Sequence, residues 1–224
     1  MLTAKLILER LDKEGRLLER KEQPSRSFVK NFISLLYCAH VQITGAAPYT
    51  MTDIDGVART VDGQAAGGTN GRYAKANLIM GAPPGLSGMY CTNGSTTTFP
   101  LQQTIEGQKI GIQVGTGVAA VTPTDTALAT RILHGTQAGR LEYGGCELLS
   151  IAFADPNGQF TIRRYFTNNS GGAITVEEVG IHSVGTDYDL YGAWAFLIAR
   201  DLTGGIAVAN TQLLRASYVV QITV

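Results

Sequence analysis

The alternation of apolar and polar residues along the chain predicts mainly β-strands, beginning with a hairpin. Residues 3–11 alternate in part and are apolar in the middle, and a similar pattern returns over residues 16–22. Between them, Asp12-Lys13-Glu14-Gly15 has the composition of a turn, and two such runs around a short glycine-containing turn are typical of a β-hairpin. Pro24 is expected to end the second strand, because proline has no N–H to donate.

A helix is predicted after this hairpin, with Ser25 or Ser27 as its N-cap and its end near His40. Helical spacing places an apolar stripe on one side of this helix, formed by Phe28, Phe32, Leu35 and Leu36, with Val29 and Ile33 beside them. A stripe this wide must be covered, either by the chain's own sheet or by a neighbouring subunit, and we favour the first.

From residue 108 onwards the pattern predicts an antiparallel β-sandwich or barrel. Residues 110–114 alternate cleanly, and a short helix is predicted near residues 125–131, capped by Thr124 or Asp125. Turn compositions at residues 155–158 and 169–172 separate the later strands. These strands are predicted over residues 146–154, 159–168, 173–183, 193–200 and 215–224.

The last predicted strand is apolar up to its final residue. Terminal residues of this kind are normally paired within a sheet. We therefore expect Tyr218, Val220 and Ile222 on one face of a paired strand, and Val219 and Gln221 on the other.

Residues 45–104 differ from both flanking regions in composition. Gly-Gly, Asn-Gly and Pro-Pro steps interrupt them, and residues 95–98 are a run of hydroxyl side chains. A long segment with little regular structure and few charges predicts an arm that is ordered by packing on neighbours. The chain is thus divided into a hairpin and helix over residues 1–44, an extended Gly/Thr-rich arm over 45–107, and a sandwich over 108–224.

Composition and charge favour self-association. The 224 residues include 18 Lys+Arg and 18 Asp+Glu, only 16% of the chain is charged, and glycine occurs 27 times. Zero net charge provides no general attraction to nucleic acid or to a membrane, so neither is an expected partner. A chain with zero net charge and few charged residues associates more readily with itself. The candidate assembly contacts are apolar residues of the helix and the arm: Phe28, Phe32, Leu36, Leu78, Met80, Tyr90 and Phe99.

The sequence motifs that could indicate a nucleotide or metal site are weak matches. Residues 115–120 fit a relaxed G-x-G-x-x-A dinucleotide fingerprint, but Val121-Thr122-Pro123 follow where a helix is required. We therefore interpret them as a glycine turn. Asp53-x-Asp55-Gly56 is similar to part of a calcium loop, without its later ligands or closing glutamate.

The titratable residues predict no catalytic or metal centre. Cys38, Cys91 and Cys146 lie more than fifty residues apart and are expected to be reduced and mostly buried thiols, and the three histidines are scattered. Glu177 and Glu178 are adjacent, so on a strand they face opposite ways, and one is expected to point inward towards an arginine or backbone amides. Neither enzymatic activity nor a cofactor is expected.

The order of several motifs resembles that of structural proteins of tailed-bacteriophage virions. The run VGTG followed by PTDTAL (residues 114–128) resembles a "GTG…P…DTAL" segment of such proteins. Similar phage sequences continue with an aromatic strand, an "NNSG" turn and an "ITVEEVGI"-type strand, present here as residues 160–166, 167–171 and 174–181. The resemblance extends to the closing Arg200-Asp201 and Tyr218 region and to the opening hairpin with its "SFVKNF" helix.

This resemblance covers roughly residues 1–40 and 108–224. It implies a non-enzymatic virion protein, in a capsid-decoration, neck or tail position, whose partners are its own copies and other virion proteins. The apolar run Leu6-Ile7-Leu8 ends at Glu9, so no signal peptide is expected, and synthesis would occur in the host cytoplasm.

Two alternatives share this architecture. One is a carbohydrate-binding β-sandwich of a tail fibre, with stacking aromatics from Trp194 and the tyrosines; the other is a subunit of a non-viral filament.

Overall fold

The computed structural model describes residues 2–25, 27–40, 49–61, 109–149, 151–186 and 193–223. Within these ranges the chain forms eleven β-strands and one helix. In chain order these are β1 (Leu2–Leu11), β2 (Leu17–Ser25), α1 (Lys30–His40), β3 (Tyr49–Thr52), β4 (Ala58–Val61), β5 (Gly111–Gly115), β6 (Glu142–Leu148), β7 (Ala152–Ala154), β8 (Asn157–Thr167), β9 (Ile174–Thr186), β10 (Ala193–Val208) and β11 (Leu213–Thr223).

The strands form two main antiparallel sheets. The large sheet has the order β2-β1-β11-β8-β6, with the short β7 also paired to β8. The small sheet has the order β10-β9-β5, and β3 pairs with β4 as a separate hairpin. The expectation of a mainly β, antiparallel, sandwich-like chain with an N-terminal hairpin and one helix is therefore confirmed.

The last strand lies in the middle of the large sheet. β11 pairs with β1 on one side and with β8 on the other, so that Tyr218 stands opposite both Leu6 and Ile162. The prediction of a paired terminal strand is confirmed, and Tyr218 is fully buried. β2 continues one residue beyond Pro24, contrary to expectation, because β2 is an edge strand where a missing N–H need not cost a ladder bond.

The apolar core lies between the inner faces of the two sheets. Leu6, Phe166 and Tyr218 of the large sheet and Ile112 and Phe196 of the small sheet are all fully buried. They belong to one continuous cluster. Burial of this cluster supplies the main hydrophobic contribution to folding.

The helix packs on this sandwich but is not capped by a serine. α1 begins at Lys30, whose N–H donates to the carbonyl of Pro123 (2.8 Å). Ser25 Oγ instead donates to the carboxylate of Asp201 (2.7 Å), and Ser27 lies too far before the helix to cap it. The predicted N-caps were therefore wrong, since another segment of the chain satisfies the first helical amide.

The predicted helix over residues 125–131 is absent. Backbone groups of this region bond elsewhere: the amides of Ala129 and Thr130 donate to the Glu178 side chain (3.0 and 2.7 Å). The Thr130 carbonyl accepts from Thr116 N (2.9 Å), and Ile132 N donates to Val114 O of β5 (2.9 Å). Residues 116–134 therefore form an irregular segment that follows the edge of β5.

Part of the predicted arm is regular. β3 and β4 form a hairpin whose turn is organised by Asp53, which accepts hydrogen bonds from the amides of Asp55 and Val57 (both 2.9 Å) and pairs with Arg59 (2.7 Å). Apart from this hairpin, residues 45–107 lie outside the described residues. Asp53 thus supports a turn, and its carboxylate is already occupied by protein donors.

Candidate functional site

The residues of the helix region that were predicted as assembly contacts lie on the side of the chain's own sandwich. Phe28 and Phe32 pack on the core cluster with their ring centroids 4.5 Å apart, and Leu36 is half-buried. The opposite side of α1 is exposed at Ile33 and Tyr37. The other predicted contacts, Leu78, Met80, Tyr90 and Phe99, lie outside the described residues.

A different apolar surface is exposed at one end of the large sheet. Leu148 stands opposite Ile162, while Phe153 and Ile222 both stand opposite Gly158, so all three side chains share the face that forms the core. Yet Phe153 is 83% exposed, Leu148 58% and Ile222 54%. We call these three residues, with the exposed Ile151 beside them, the uncovered end.

The uncovered end includes a groove of about 510 Å³. Phe153 and Ile222 line it together with Phe160 and Val220, and Asp155 is the one charged residue among the described residues of its lining. A Cβ atom on Gly158 would lie 3.1 Å from two ring carbons of Phe153. The glycine thus lets the ring lie close against the strand.

The opposite edge of the large sheet, formed by β2, carries charged side chains instead of apolar ones. On β2, Arg20 pairs with the buried Glu9 (3.2 Å), and Glu22 pairs with Lys5 (3.1 Å). Charged side chains on an edge strand discourage pairing with other chains. The Ala-Phe-Ala sequence of β7 has no such protection.

A buried carboxylate joins the irregular segment to the small sheet. Glu178 is fully buried and accepts hydrogen bonds from the amides of Gly117 (3.1 Å), Ala129 (3.0 Å) and Thr130 (2.7 Å). It also accepts from Arg200 Nε (2.7 Å). The expectation that one of the two adjacent glutamates points inward towards an arginine or backbone amides is confirmed, and Glu178 meets both.

Arg200 extends this network to a second carboxylate. Its Nη1 donates to Asp125 (2.7 Å), which also accepts from the hydroxyl of Thr122 (2.6 Å), and its Nη2 donates to Ala119 O (2.9 Å). Burial alone raises the pKa of Asp125, but the hydrogen bonds from Thr122 and Arg200 lower it overall. We call Glu178, Arg200 and Asp125 the carboxylate lock.

Residues from several of the motifs named in the sequence analysis meet in this lock. Gly117 and Asp125 come from the "GTG…DTAL" run, Glu178 from the "ITVEEVGI"-type strand, and Arg200 from the "RD" pair. Their side chains and amides bond to one another, with Glu178 and Arg200 buried and Asp125 partly exposed. The lock connects the irregular segment to the small sheet.

His182 is buried in the small sheet, and among the residues that the structure describes neither of its ring nitrogens has a hydrogen-bond partner. Burial, together with the charge of Arg131, lowers the pKa of His182 to about 3. The imidazole is therefore neutral at physiological pH and inaccessible for acid–base chemistry.

The thiol that the structure describes has no reactive character. Cys146 is buried and forms no disulfide, as predicted for it, and burial raises the pKa of its thiol, which keeps the thiol protonated. Among the described residues, no three side chains of His, Cys, Asp or Glu are grouped so that they could hold a metal ion. In the same part of the chain, no helix has the length and apolar character needed to cross a membrane.

Comparison of the chain with protein-family models, with curated proteins and with solved structures finds no match.

Proposed function

We propose that the chain is a non-enzymatic structural protein of a tailed-phage virion, which assembles through contacts between subunits. Its place would be in capsid decoration, the neck or the tail. The observation that carries the assembly role is the uncovered end, where Leu148, Phe153 and Ile222 of the core-forming face are exposed. The phage origin rests on the motif resemblance described above.

Covering the apolar side chains of the uncovered end would stabilise an assembly. Burying an apolar side chain of this size contributes about 1.5–3 kcal/mol, and each of these three residues is more than half exposed. Contiguous apolar patches on a soluble chain mark contact sites or aggregation hazards. A protein that functions inside an assembly gains this free energy when a partner covers the patch.

The carboxylate lock supports a structural role as well. It holds an irregular segment of nearly twenty residues against the small sheet through the amides of Gly117, Ala129 and Thr130. A fully satisfied buried network rigidifies the surface that it supports. Rigid surfaces lose little entropy when they form repeated contacts.

Electron microscopy of the native assembly tests this proposal. The affinity-tagged full chain is expressed in cells that produce the particles, and the tagged material is isolated and imaged. The chain is expected in capsid, neck or tail density. Its recovery in a non-viral filament, or only as free protein while particles form without it, would contradict the proposal.

A carbohydrate-binding module is the second candidate. The observation in its favour is that the exposed ring of Phe153 shares a groove with the polar side chains Asp155, Asn157 and Gln159, and aromatic rings stack on apolar faces of ligands. Val220 and Ile222 in the same groove favour an apolar partner instead. Binding of the purified chain on a glycan array, lost in Phe153→Ala, would support this alternative.

A further inference from the structure

We propose that the irregular segment, residues 116–134, is an acid-released strap, which covers His182 and the edge of β5 in the folded chain and detaches as a unit when His182 takes up a proton. Gly115 and Gly135 lie at its two ends. Gly135 has a φ of 142°, a conformation that residues with a side chain rarely adopt. Such end positions can absorb the backbone rotation that a hinged segment requires.

His182 belongs to a row of β9 residues that face the irregular segment. Glu178, Gly180 and His182 share one face of this strand, because side chains alternate along it and its pairing with β5 is regular here. Glu178 accepts hydrogen bonds from the segment, and a Cβ atom on Gly180 would lie 2.9 Å from Leu128 Cδ2. Leu197, which stands opposite His182 on β10, is clustered with the same Leu128. The fully buried imidazole therefore lies on the face that the segment covers.

The folded chain disfavours a proton on this imidazole. In the part of the chain that the structure describes, both ring nitrogens of His182 and the buried Nη1 of Arg131 lack hydrogen-bond partners. Burial, and in addition the charge of Arg131, lowers the pKa of His182 to about 3. When the segment detaches, water reaches the imidazole and its pKa returns to about 6.5. Proton uptake below pH 6.5 therefore favours the detached form.

The other charged groups on this face are already paired. Glu178 pairs with Arg200, and Arg200 also pairs with Asp125 of the segment. β5 and residues 193–199 of β10, which flank His182 on either side, contain no titratable side chain. His182 is therefore the group on this face whose proton affinity rises most when the segment detaches.

The remaining elements near this face contribute ion pairs and one further histidine. The β3–β4 hairpin, which meets β10 where Ile54 N donates to Ala195 O, contains Asp53 paired with Arg59 and Asp55 paired with Lys109. Lys30 at the start of α1 is exposed. His134, at the end of the segment, accepts the amide of Tyr143 on Nδ1 (3.0 Å). Because a proton on Nδ1 would break that bond, His134 is the competing acid-sensitive group.

Detachment of the segment would open the edge of β5. Thr116 N donates to Thr130 O and Ile132 N donates to Val114 O, both at 2.9 Å, so the segment occupies hydrogen-bonding positions along this edge strand. An edge whose cover is removed offers its backbone groups to another strand. Acid would thus convert a covered sheet edge into an open one.

Hydrogen exchange of the purified full chain at pH 7 and pH 5 tests the inference, with rates corrected for intrinsic exchange to give opening constants. The opening constants of the Ala129, Thr130 and Ile132 amides should rise about 25-fold from pH 7 to pH 5, as a change in one histidine pKa from 3 to 6.5 requires. At both pH values they should exceed those of β11 amides at least about tenfold, since local detachment needs less free energy than global unfolding.

Three variants identify the responsible histidine. His182→Leu and His182→Gln should each abolish the rise in the opening constants of the segment, whereas His134→Gln, the matched control, should retain it. Circular dichroism checks that each variant is folded, and the comparison of the segment with β11 in the wild-type chain needs no variant.

Several outcomes would overturn the inference. One is exchange of the segment in step with β11 at both pH values, because the segment would then open only when the whole chain unfolds. Another is an opening constant that does not change between pH 7 and pH 5. A rise that persists in the His182 variants, or that is lost in His134→Gln, would assign the proton to another group.

Discussion

Glu178 and Arg200 face each other on neighbouring strands, with Arg200 Nε donating to Glu178 Oε2 at 2.7 Å in a buried position. Because the same carboxylate accepts three backbone amides of the irregular segment, it connects chain positions that are sixty residues apart. An ion pair of this kind is costly to break from one side, since the other charge remains buried.

Glu178→Gln should therefore destabilise the chain by about 3 kcal/mol, because an NH2 group replaces an acceptor among donors and removes one of the two carboxylates that pair with Arg200. Urea denaturation measures the loss, and hydrogen exchange should show weaker protection of the amides of Ala129 and Thr130. Glu177→Gln is the matched control on the adjacent, half-buried residue, with an expected change below about 0.5 kcal/mol. Equal effects of the two variants would contradict the role of the lock.

Gly117→Ala should also destabilise the chain, because space at this position is taken by the lock. A Cβ atom there would lie 2.4 Å from Glu178 Oε1 and 2.6 Å from Ala129 Cβ. Overpacking of this kind costs about 1–3 kcal/mol, which a shift in the thermal midpoint would report. Gly172→Ala serves as the control, since no atom lies within 4 Å of its Cβ position. A fully stable Gly117→Ala variant would show that the segment moves away without cost.

Tyr218→Phe tests a second buried carboxylate. The Tyr218 hydroxyl lies 2.9 Å from Asp201 Oδ2, which otherwise accepts from Ser25 Oγ. Removal of the hydroxyl leaves Asp201 with one donor fewer in the core and should cost about 1–3 kcal/mol in urea denaturation. Tyr165→Phe, at a half-buried position on the outer face of the large sheet, should change the stability much less. Similar losses in both variants would mean that the effect is not specific to Asp201.

The local pattern of apolar and polar residues predicted much of the fold but did not predict the carboxylate lock. The two-residue period of strands separated Glu177 from Glu178 and showed that one of them points inward. It could not identify Gly117 and Thr130 as partners, because those contacts join residues far apart in sequence. For the same reason the sequence predicts a helix capped by Thr124 or Asp125, whereas the carboxylate of Asp125 accepts a hydrogen bond from Arg200.

The uncovered end was missed for a different reason. Alternation correctly placed Ile222 on the same face as Tyr218, and that face is buried at Tyr218 and exposed at Ile222. Where one sheet stops covering another depends on strand lengths and packing in three dimensions. The exposed Phe153 lay inside a predicted strand, with no signal that separated it from a core position.

Stability should depend on pH through His182. The pKa of its buried imidazole is about 3, below its ordinary value of 6.5, so the unfolded chain binds the proton more tightly than the folded chain. Stability is therefore complete above about pH 6.5 and declines as the pH falls towards 3. Between pH 6.5 and about pH 5 the loss should reach about 1.5 kcal/mol, before the carboxylates with lowered pKa values, such as Glu9 and Asp125, begin to contribute.

Urea denaturation at these two pH values measures this dependence directly. His182→Leu removes two buried nitrogens that lack hydrogen-bond partners in the described structure, so it should abolish the His182 contribution to the slope and leave stability at neutral pH equal or higher. His182→Gln retains a polar side chain that does not titrate, and it should abolish the same contribution whatever its own stability. If the pH dependence between 6.5 and 5 persisted in both variants, another group would be responsible, and the imidazole would be partnered or solvated in the folded chain.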